Sequence, residues 1–362
     1  MNTRQKQQTK FEASGANIEV GTPENCPLAP SVLTSITETS AYVTKSIDSG
    51  LTAEVYQLTV NGKKYTLKKK RASALVSNLD GKFSFLNEVQ RRADFYKLKS
   101  NHDDHELLPN IVDTIYANYR LGIILSPWIE GEPLETLNKD IFKQILETTS
   151  LCEQYGLMEW DLCEGNILIN EDGKVFLFDF GYMYPFDPLV DINSNGMSDP
   201  IFHSVERFET RFFFGWLLGR DNLSEDEKIA LFADLKSVAI GVFNKKISWL
   251  KANNASPEVI QHFQNIVNKW SEALKSSNAL KKLYRAESFR SHVLDIEDDL
   301  HGKSCTKKTL ARIDHVLDSI ANHYEFLNSN NCLFYENTGK SQQNLIETYQ
   351  KKYQLAQQHL II

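Results

Sequence analysis

Residues 158–185 read MEWDLCEGNILINEDGKVFLFDFGYMYP, and their reading decides the fold. Two acids, an amide and a glycine stand at fixed distances: Asp161 and Asn166 in the order D-x-x-x-x-N, then Asp179-Phe180-Gly181 beyond a short turn. The turn, Asn170 to Lys174, lies between the apolar runs Ile167-Leu168-Ile169 and Val175-Phe176-Leu177-Phe178. The pattern therefore predicts a buried hairpin with Glu171-Asp172-Gly173 at its tip. Such a hairpin delivers Asn166 and Asp179 to one cleft.

These residue types suit a magnesium-phosphate site. Phosphoryl transfer is mostly positioning and charge neutralisation. A carboxylate at 179 and an amide oxygen at 166 are hard oxygen ligands for Mg²⁺, or for Mn²⁺ in its place, while Asp161 can accept the proton of an attacking hydroxyl. The stretch resembles the catalytic loop and DFG segment of the protein-kinase superfamily, with Glu159-Trp160-Asp161 where that family usually carries His-Arg-Asp. The resemblance covers about residues 42–220 and implies an α+β, bilobal protein-kinase-like fold with ATP and Mg²⁺ as cofactors. The N-lobe would be β-rich, and the C-lobe helical with additional C-terminal helices.

Upstream, short β-type runs occupy Ala41 to Ile47, Glu54 to Val60 and Lys64 to Lys68, with Asn61-Gly62 as a hairpin signal between the second and third. The stretch Asp48 to Val55 resembles a glycine-rich loop G-x-G-x-x-G-x-V that keeps only Gly50 and Val55. Asp48 and Ala53 stand at its outer glycine positions. Tyr65-Thr66-Leu67-Lys68 resembles the V-A-I-K strand, which makes Lys68 the catalytic lysine for the α- and β-phosphates, with Lys70 as the alternative register. Apolar spacing predicts a helix from Phe83 to Leu98, and the resemblance makes Glu88 on it the partner of Lys68. Ile111 to Ala117 and Leu121 to Leu125 read as a second hairpin. Ser126 to Gly131 comes next as the adenine-binding hinge, with Trp128 and its neighbours as donors because Pro127 has no N–H.

The expected divisions are a flexible segment 1–35, an N-lobe 36–130, a catalytic core 131–222 and a helical region 223–362. The first 30 residues are polar, with three prolines and no apolar period. Leu137 to Tyr155 suits a helix leading into the catalytic loop. The irregular segment Tyr182 to Phe202 is the candidate activation segment, although no A-P-E motif closes it, and Glu206 to Leu218 reads as a very apolar helix. Beyond it, Ser224 to Glu227 is a capping box and Ser256-Pro257 a helix start. Further helices are expected over 278–299, 306–328 and Gln342 to His359.

Composition narrows the function classes. The 362 residues are ordinary for a soluble chain, and a net charge of −7 argues against nucleic acid as a partner. Five scattered cysteines argue against disulfides and zinc, and no apolar run is long enough to span a bilayer, so a reducing cytosol is the expected compartment. Asn61 to Lys99 nevertheless holds eleven Lys or Arg against three acids, a net of +8. This density suggests an anionic regulator, such as an inositol polyphosphate or a phosphoinositide head group, with Arg91 and Arg92, and Lys69 and Arg71 nearby, as its expected contacts.

Departures from the family bear on mechanism. Trp160 replaces an arginine that often meets an activation-segment phosphate, and Cys163 stands where a lysine usually meets the transferred phosphate. The resemblance implies an atypical Ser/Thr protein kinase acting on a protein substrate. A kinase of small molecules or lipids and a pseudokinase binding module are the alternatives. Retention of Lys68, Asp161, Asn166 and Asp179 together favours an enzyme. The departures and the C-terminal helices are similar to effector kinases that intracellular bacteria inject into host cells.

Overall fold

The computed structural model describes residues 1–47, 50, 52–101 and 107–361. The chain divides into two compact units, Met1–Leu134 with Gly165–Tyr184, and Glu135–Glu164 with Pro185–Ile362. The class is α+β, with a mostly antiparallel six-stranded sheet in the first unit and helices in the second. The first division, after Leu134, lies close to the expected lobe boundary at 130. Residues 1–35 belong to the first unit, the 165–184 hairpin joins them, and no boundary falls at 222.

In the first unit the chain forms α1 (Thr3–Ser14), β1 (Glu19–Gly21), α2 (Pro30–Ser35), β2 (Val43–Ile47), β3 (Ala53–Val60), β4 (Lys63–Lys70), α3 (Leu79–Asn101), β5 (Tyr116–Asn118), β6 (Ile123–Pro127) and β7 (Glu132–Pro133). The sheet order is β1-β5-β6-β4-β3-β2. Asn61 and Gly62 both have positive φ, 51° and 75°, as a two-residue type I′ turn requires, so β3 and β4 pair from Val60↔Lys63 to Ala53↔Lys70. One sheet face packs Ala53, Ala117 and Ile124 against Phe83, Phe85, Leu86 and Val89 of α3. The other packs Leu58, Leu67 and Leu125 against Leu33 and Ile36.

The first 35 residues are therefore structural parts and not an unstructured lead-in. An Asn2–Gln5 capping box starts α1, Arg4 pairs with Asp80 at 3.1 Å, and Arg120 donates to the Phe11, Glu12 and Ala16 carbonyls. Phe11 is the one apolar side chain of the missed helix that packs on this unit's core, and a single such contact leaves no apolar period to read. β1 pairs with β5, where any side chain at Gly21 would place its Cβ 2.2 Å from the Ile115 carbonyl oxygen.

The second unit begins with α4 (Lys139–Gln154) and β8 (Leu157–Glu159). Between the two segments of this unit the chain forms the hairpin β9 (Ile167–Ile169) and β10 (Val175–Leu177) and then β11 (Met183–Pro185). The expected helix Glu206 to Leu218 starts earlier and is broken in character: α5 (Ser204–Phe208), a π-helical segment Glu209–Phe213, then α6 (Phe214–Leu218). Five longer helices follow: α7 (Glu225–Ala252), α8 (Pro257–Ala273), α9 (Ser277–Gly302), α10 (Lys307–Ser329) and α11 (Gln342–Gln358). Ser224 and Glu227 form the capping box of α7, and Ser256 caps α8 ahead of Pro257. A separate apolar cluster of Phe289, Val293, Ile313, Val316, Leu345 and Tyr349 joins α9, α10 and α11. Among the described residues no helix is long and apolar enough to cross a membrane.

Candidate active site

Strand alternation sets the first side chains. Leu67 and Lys69 of β4 face the α2 side, where the Lys69 ammonium reaches the Ile36 carbonyl, so Lys68 faces α3. Its Nζ lies 2.6 Å from Glu88 Oε2 and 3.0 Å from Asp179 Oδ2. Lys70 shares this face but instead donates to the Tyr119 hydroxyl at 3.0 Å. Of the two registers, Lys68 is the one that meets Glu88. Val55 lies directly opposite Lys68 on β3. A Cβ on Gly50 would fall 2.2 Å from the Ala53 carbonyl oxygen, so the close approach there requires glycine. Asp48, expected beside it, lies outside the described residues.

Behind Glu88 stands a residue that the sequence pattern had assigned to a regulator. Arg92, one helical turn on, donates to Glu88 Oε1 at 3.0 Å and to Ser126 Oγ at 3.2 Å, and lies 5.0 Å over the Phe180 ring. Lys68, Glu88 and Arg92 are only 7%, 2% and 2% exposed. Two cations meet two carboxylates, and this balance makes the burial tolerable. Burial opposes the charge on Lys68, but Asp179 and Glu88 more than offset it and hold the ammonium above the usual lysine range. Burial likewise opposes charge on Asp179, and Lys68 outweighs it, which keeps that carboxyl below the usual range.

Arg91 and Arg92 are thus corrected as contacts for a regulator, since both are buried and internally paired. Arg91 bonds Asp94 at 2.7 Å and the Met183 carbonyl at 3.3 Å. Lys63, Lys64 and Lys97 are exposed elsewhere; of the other expected contacts Lys69 donates to the Ile36 carbonyl, while Arg71, with Lys70 and Lys82, lines open space. Together with Ser73, Ser77 and Asn78 they border a cleft of about 460 Å³ in the first unit.

The hairpin β9–β10 forms as the sequence predicts, with Leu177 opposite Ile167 and Gly173 at φ 77° in its turn. At its open end the Phe178 N–H donates to the Asn166 carbonyl at 3.2 Å, so Asn166 and Asp179 leave the hairpin together. Asp179 has φ 67°, a left-handed conformation that costs a non-glycine residue on the order of 1 kcal/mol. The turn sends Asp179 to Lys68 and sinks Phe180 against Phe95, ring centroids 4.9 Å apart. The Asn87 amide clamps the adjoining backbone by donating to the carbonyls of Phe180, Gly181 and Met183 at 3.2, 3.0 and 2.7 Å. The Asp179 side chain stays 37% exposed. With the Asn166 amide it supplies two hard oxygen donors of the kind Mg²⁺ takes while keeping waters.

The hinge expectation needs one correction. The Trp128 amide donates to the Lys64 carbonyl at 3.2 Å and its indole to Glu130 at 3.3 Å, so this amide is spent on the β4 edge. Those of Ile129 and Glu130 make no hydrogen bond among the described residues.

In the second unit β8 leads into Asp161. Its N–H donates to Glu159 Oε1 at 2.7 Å, so the residue standing in place of the expected histidine shapes the loop backbone. Trp160 donates its indole N–H to Ser194 at 2.9 Å, and Arg207 stacks on its ring and donates to its carbonyl at 3.1 Å. Arg211 Nε donates to Asp161 Oδ1 at 2.9 Å. Neither arginine was singled out from the sequence. The available signal was two arginines four residues apart, Arg207 and Arg211, a spacing that places both on one helical face.

No protein-family model matches this chain, and a comparison with curated proteins finds no match. The functional reading therefore stands on the site's own chemistry.

Proposed function

We propose that this chain is an ATP- and Mg²⁺-dependent phosphotransferase, an atypical Ser/Thr protein kinase in its narrower reading. One observation carries it: the Lys68 ammonium is held between Glu88 and Asp179, while Asp179 shares the open end of a hairpin with Asn166.

Each residue then has a role. Lys68 uses two of its three N–H donors on Glu88 and Asp179, which leaves one for an α- or β-phosphate oxygen. Val55 and the Gly50 turn cover the nucleotide, and the Ile129 and Glu130 amides take the adenine in place of Trp128. Asp179 and Asn166 would hold Mg²⁺, which when bound neutralises phosphate charge. Asp161 of the second unit orients the acceptor hydroxyl. As that oxygen bonds to the γ-phosphorus, the bond from phosphorus to the β,γ-bridging oxygen breaks, ADP leaves, and the hydroxyl proton passes to the Asp161 carboxylate.

The departures at Glu159, Trp160 and Cys163, with the helices beyond residue 222, support the narrower reading of a cytosolic effector kinase. Labelled ATP with Mg²⁺, alone and with cell lysate, tests the proposal. We expect label in protein, with Asp161→Ala and Asp179→Ala each abolishing transfer while Asp161→Ala still binds nucleotide. Label confined to small molecules would favour the metabolite-kinase reading. Near-normal turnover by Asp179→Ala would sink the metal assignment, and no transfer despite nucleotide binding would leave a binding module.

A further inference from the structure

Around Asp161 the second unit holds charged side chains, Arg211, Asp295, Asp299 and Arg312, to which the phosphotransferase reading gives no role. Cys163 stands where a cation on the transferred phosphate is expected, yet Asp161 has a cation beside it, from a distant part of the chain. Arg211 belongs to the π-helical segment Glu209–Phe213, and from His203 to Leu217 it is the one side chain that is not buried. The wider π turn shifts the direction in which its residues face relative to α5, and such turns recur at functional sites.

The guanidinium is fixed on two edges. Nε donates to Asp161 Oδ1 at 2.9 Å, and Nη1 pairs with Asp295, with Asp299 3.9 Å away. Asp295 already has a second cation, Arg312, whose Nε lies 2.6 Å from its other oxygen. Two guanidiniums thus meet three carboxylates, Asp161, Asp295 and Asp299, and Arg211 is the one that touches Asp161. The third edge, Nη2, makes no hydrogen bond among the described residues, and the side chain is 20% exposed. A rigid donor is thus left open next to the carboxylate that the proposed chemistry needs.

We propose that Arg211 is a catalytic cation: it orients Asp161 through Nε and offers Nη2 to the phosphoryl group in transfer, supplying from the π-helical segment the charge that Cys163 lacks. This rests on the phosphotransferase reading. The transferring group carries its negative charge on three equatorial oxygens, and a preorganised guanidinium meets it without reorganising. Meanwhile the acceptor oxygen bonds to phosphorus, the bond to the bridging oxygen breaks, and the proton goes to Asp161 Oδ2 or Oδ1.

The test uses the full chain with labelled ATP and Mg²⁺, and calorimetric ADP binding is measured separately. We expect Arg211→Gln to lower kcat about 10²–10³-fold, the usual effect of losing one such donor, while the Kd for ADP stays within about threefold. Arg211→Lys should keep activity within about tenfold of wild type, and millimolar guanidinium should restore part of the turnover of Arg211→Ala but none of that of Asp161→Ala. A kcat within threefold of wild type in Arg211→Gln would overturn the assignment. So would a loss that neither lysine nor guanidinium restores in a variant melting at the wild-type temperature. If Arg211→Gln fails to fold because Asp161, Asp295 and Asp299 are left unbalanced, Arg211→Gln/Asp299→Asn carries the same two outcomes. An inactive wild type sinks the phosphotransferase reading and this inference together, whereas an active wild type with an indifferent Arg211 sinks the inference alone.

Discussion

Replacing Glu88 by glutamine probes the network that fixes Lys68. Glu88 is 2% exposed and accepts from Lys68 at 2.6 Å and from Arg92 at 3.0 Å. In the wild type the charges of Lys68 and Arg92 are met by Glu88 and Asp179. In Glu88→Gln, Asp179 alone remains, and it is partly exposed. Breaking a buried pair by removing one partner costs about 3–5 kcal/mol. Glutamine keeps one acceptor oxygen, so we expect the lower end, about 3 kcal/mol. For a unit of this size that lowers its melting transition by roughly 6–12 °C. Arg92→Met alone leaves a surplus anion and should also destabilise. The double variant Glu88→Gln/Arg92→Met restores one cation to one carboxylate, so its cost should fall short of the sum by at least about 1 kcal/mol. Calorimetric unfolding of the four proteins measures the cycle. An additive cycle, or a cost below about 0.5 kcal/mol for Glu88→Gln, would refute the charge-balance account.

Two more outcomes come from charge placement. Burial pushes the Asp299 carboxyl up to about 7, reinforced by Asp295 and opposed by Arg211. A folded-state value above the unfolded one, near 4, means that the folded chain binds this proton more tightly. Stability is therefore lost as pH rises from about 4 to 7, by at most about 4 kcal/mol. Asp299→Asn should raise the melting temperature at pH 8 relative to wild type and leave it little changed at pH 4, and a pH-independent difference would count against this. In the first unit, the anionic regulator expected from the +8 segment would have to meet the cleft of Lys70, Arg71 and Lys82, which Glu12 also lines. Inositol hexakisphosphate at 100 times its Kd should stabilise by about 2.7 kcal/mol, and Arg71→Ala/Lys82→Ala should remove the shift. A shift of equal size in that variant would place the anion elsewhere.

Much of the site was legible because it lies in contiguous sequence with strong local signals. The hairpin arises from two apolar runs around a Glu-Asp-Gly tip, and the Lys68–Glu88 contact joins a strand and a helix each visible in its own periodicity. Arg92 was misjudged because its partner is a carboxylate four residues back on the same helix. Sequence alone does not say whether such a pair faces solvent or core. Arg211 was missed for a different reason: its partner Asp161 lies 50 residues away, and its charge was submerged in a run of phenylalanines. The N-terminal helix escaped because Phe11 and a set of polar groups dock it, and one apolar contact leaves no period. Trp128 was assigned to the adenine by elimination after Pro127, yet its amide completes the edge of β4.

One helix turns these separate pieces into a site in the first unit. Asn87, Glu88, Arg91 and Arg92 are consecutive or one turn apart on α3, all are buried, and each contacts either Lys68, its partner Glu88 or the backbone after Asp179. Rotating or withdrawing α3 would break the Lys68 pair and the Asn87 clamp at the same time, because both depend on the same turn. The pieces therefore form or fail together, and the charges of Lys68 and Arg92 are balanced within the unit by Glu88 and Asp179. Asn87→Ala separates the two dependences. It removes three donor contacts to the 180–183 backbone but leaves every charge in place. If α3 acts as one body, this variant loses phosphoryl transfer and the Glu88–Arg92 coupling energy falls with it, whereas a coupling energy at its wild-type value would show the clamp and the charge network to be independent.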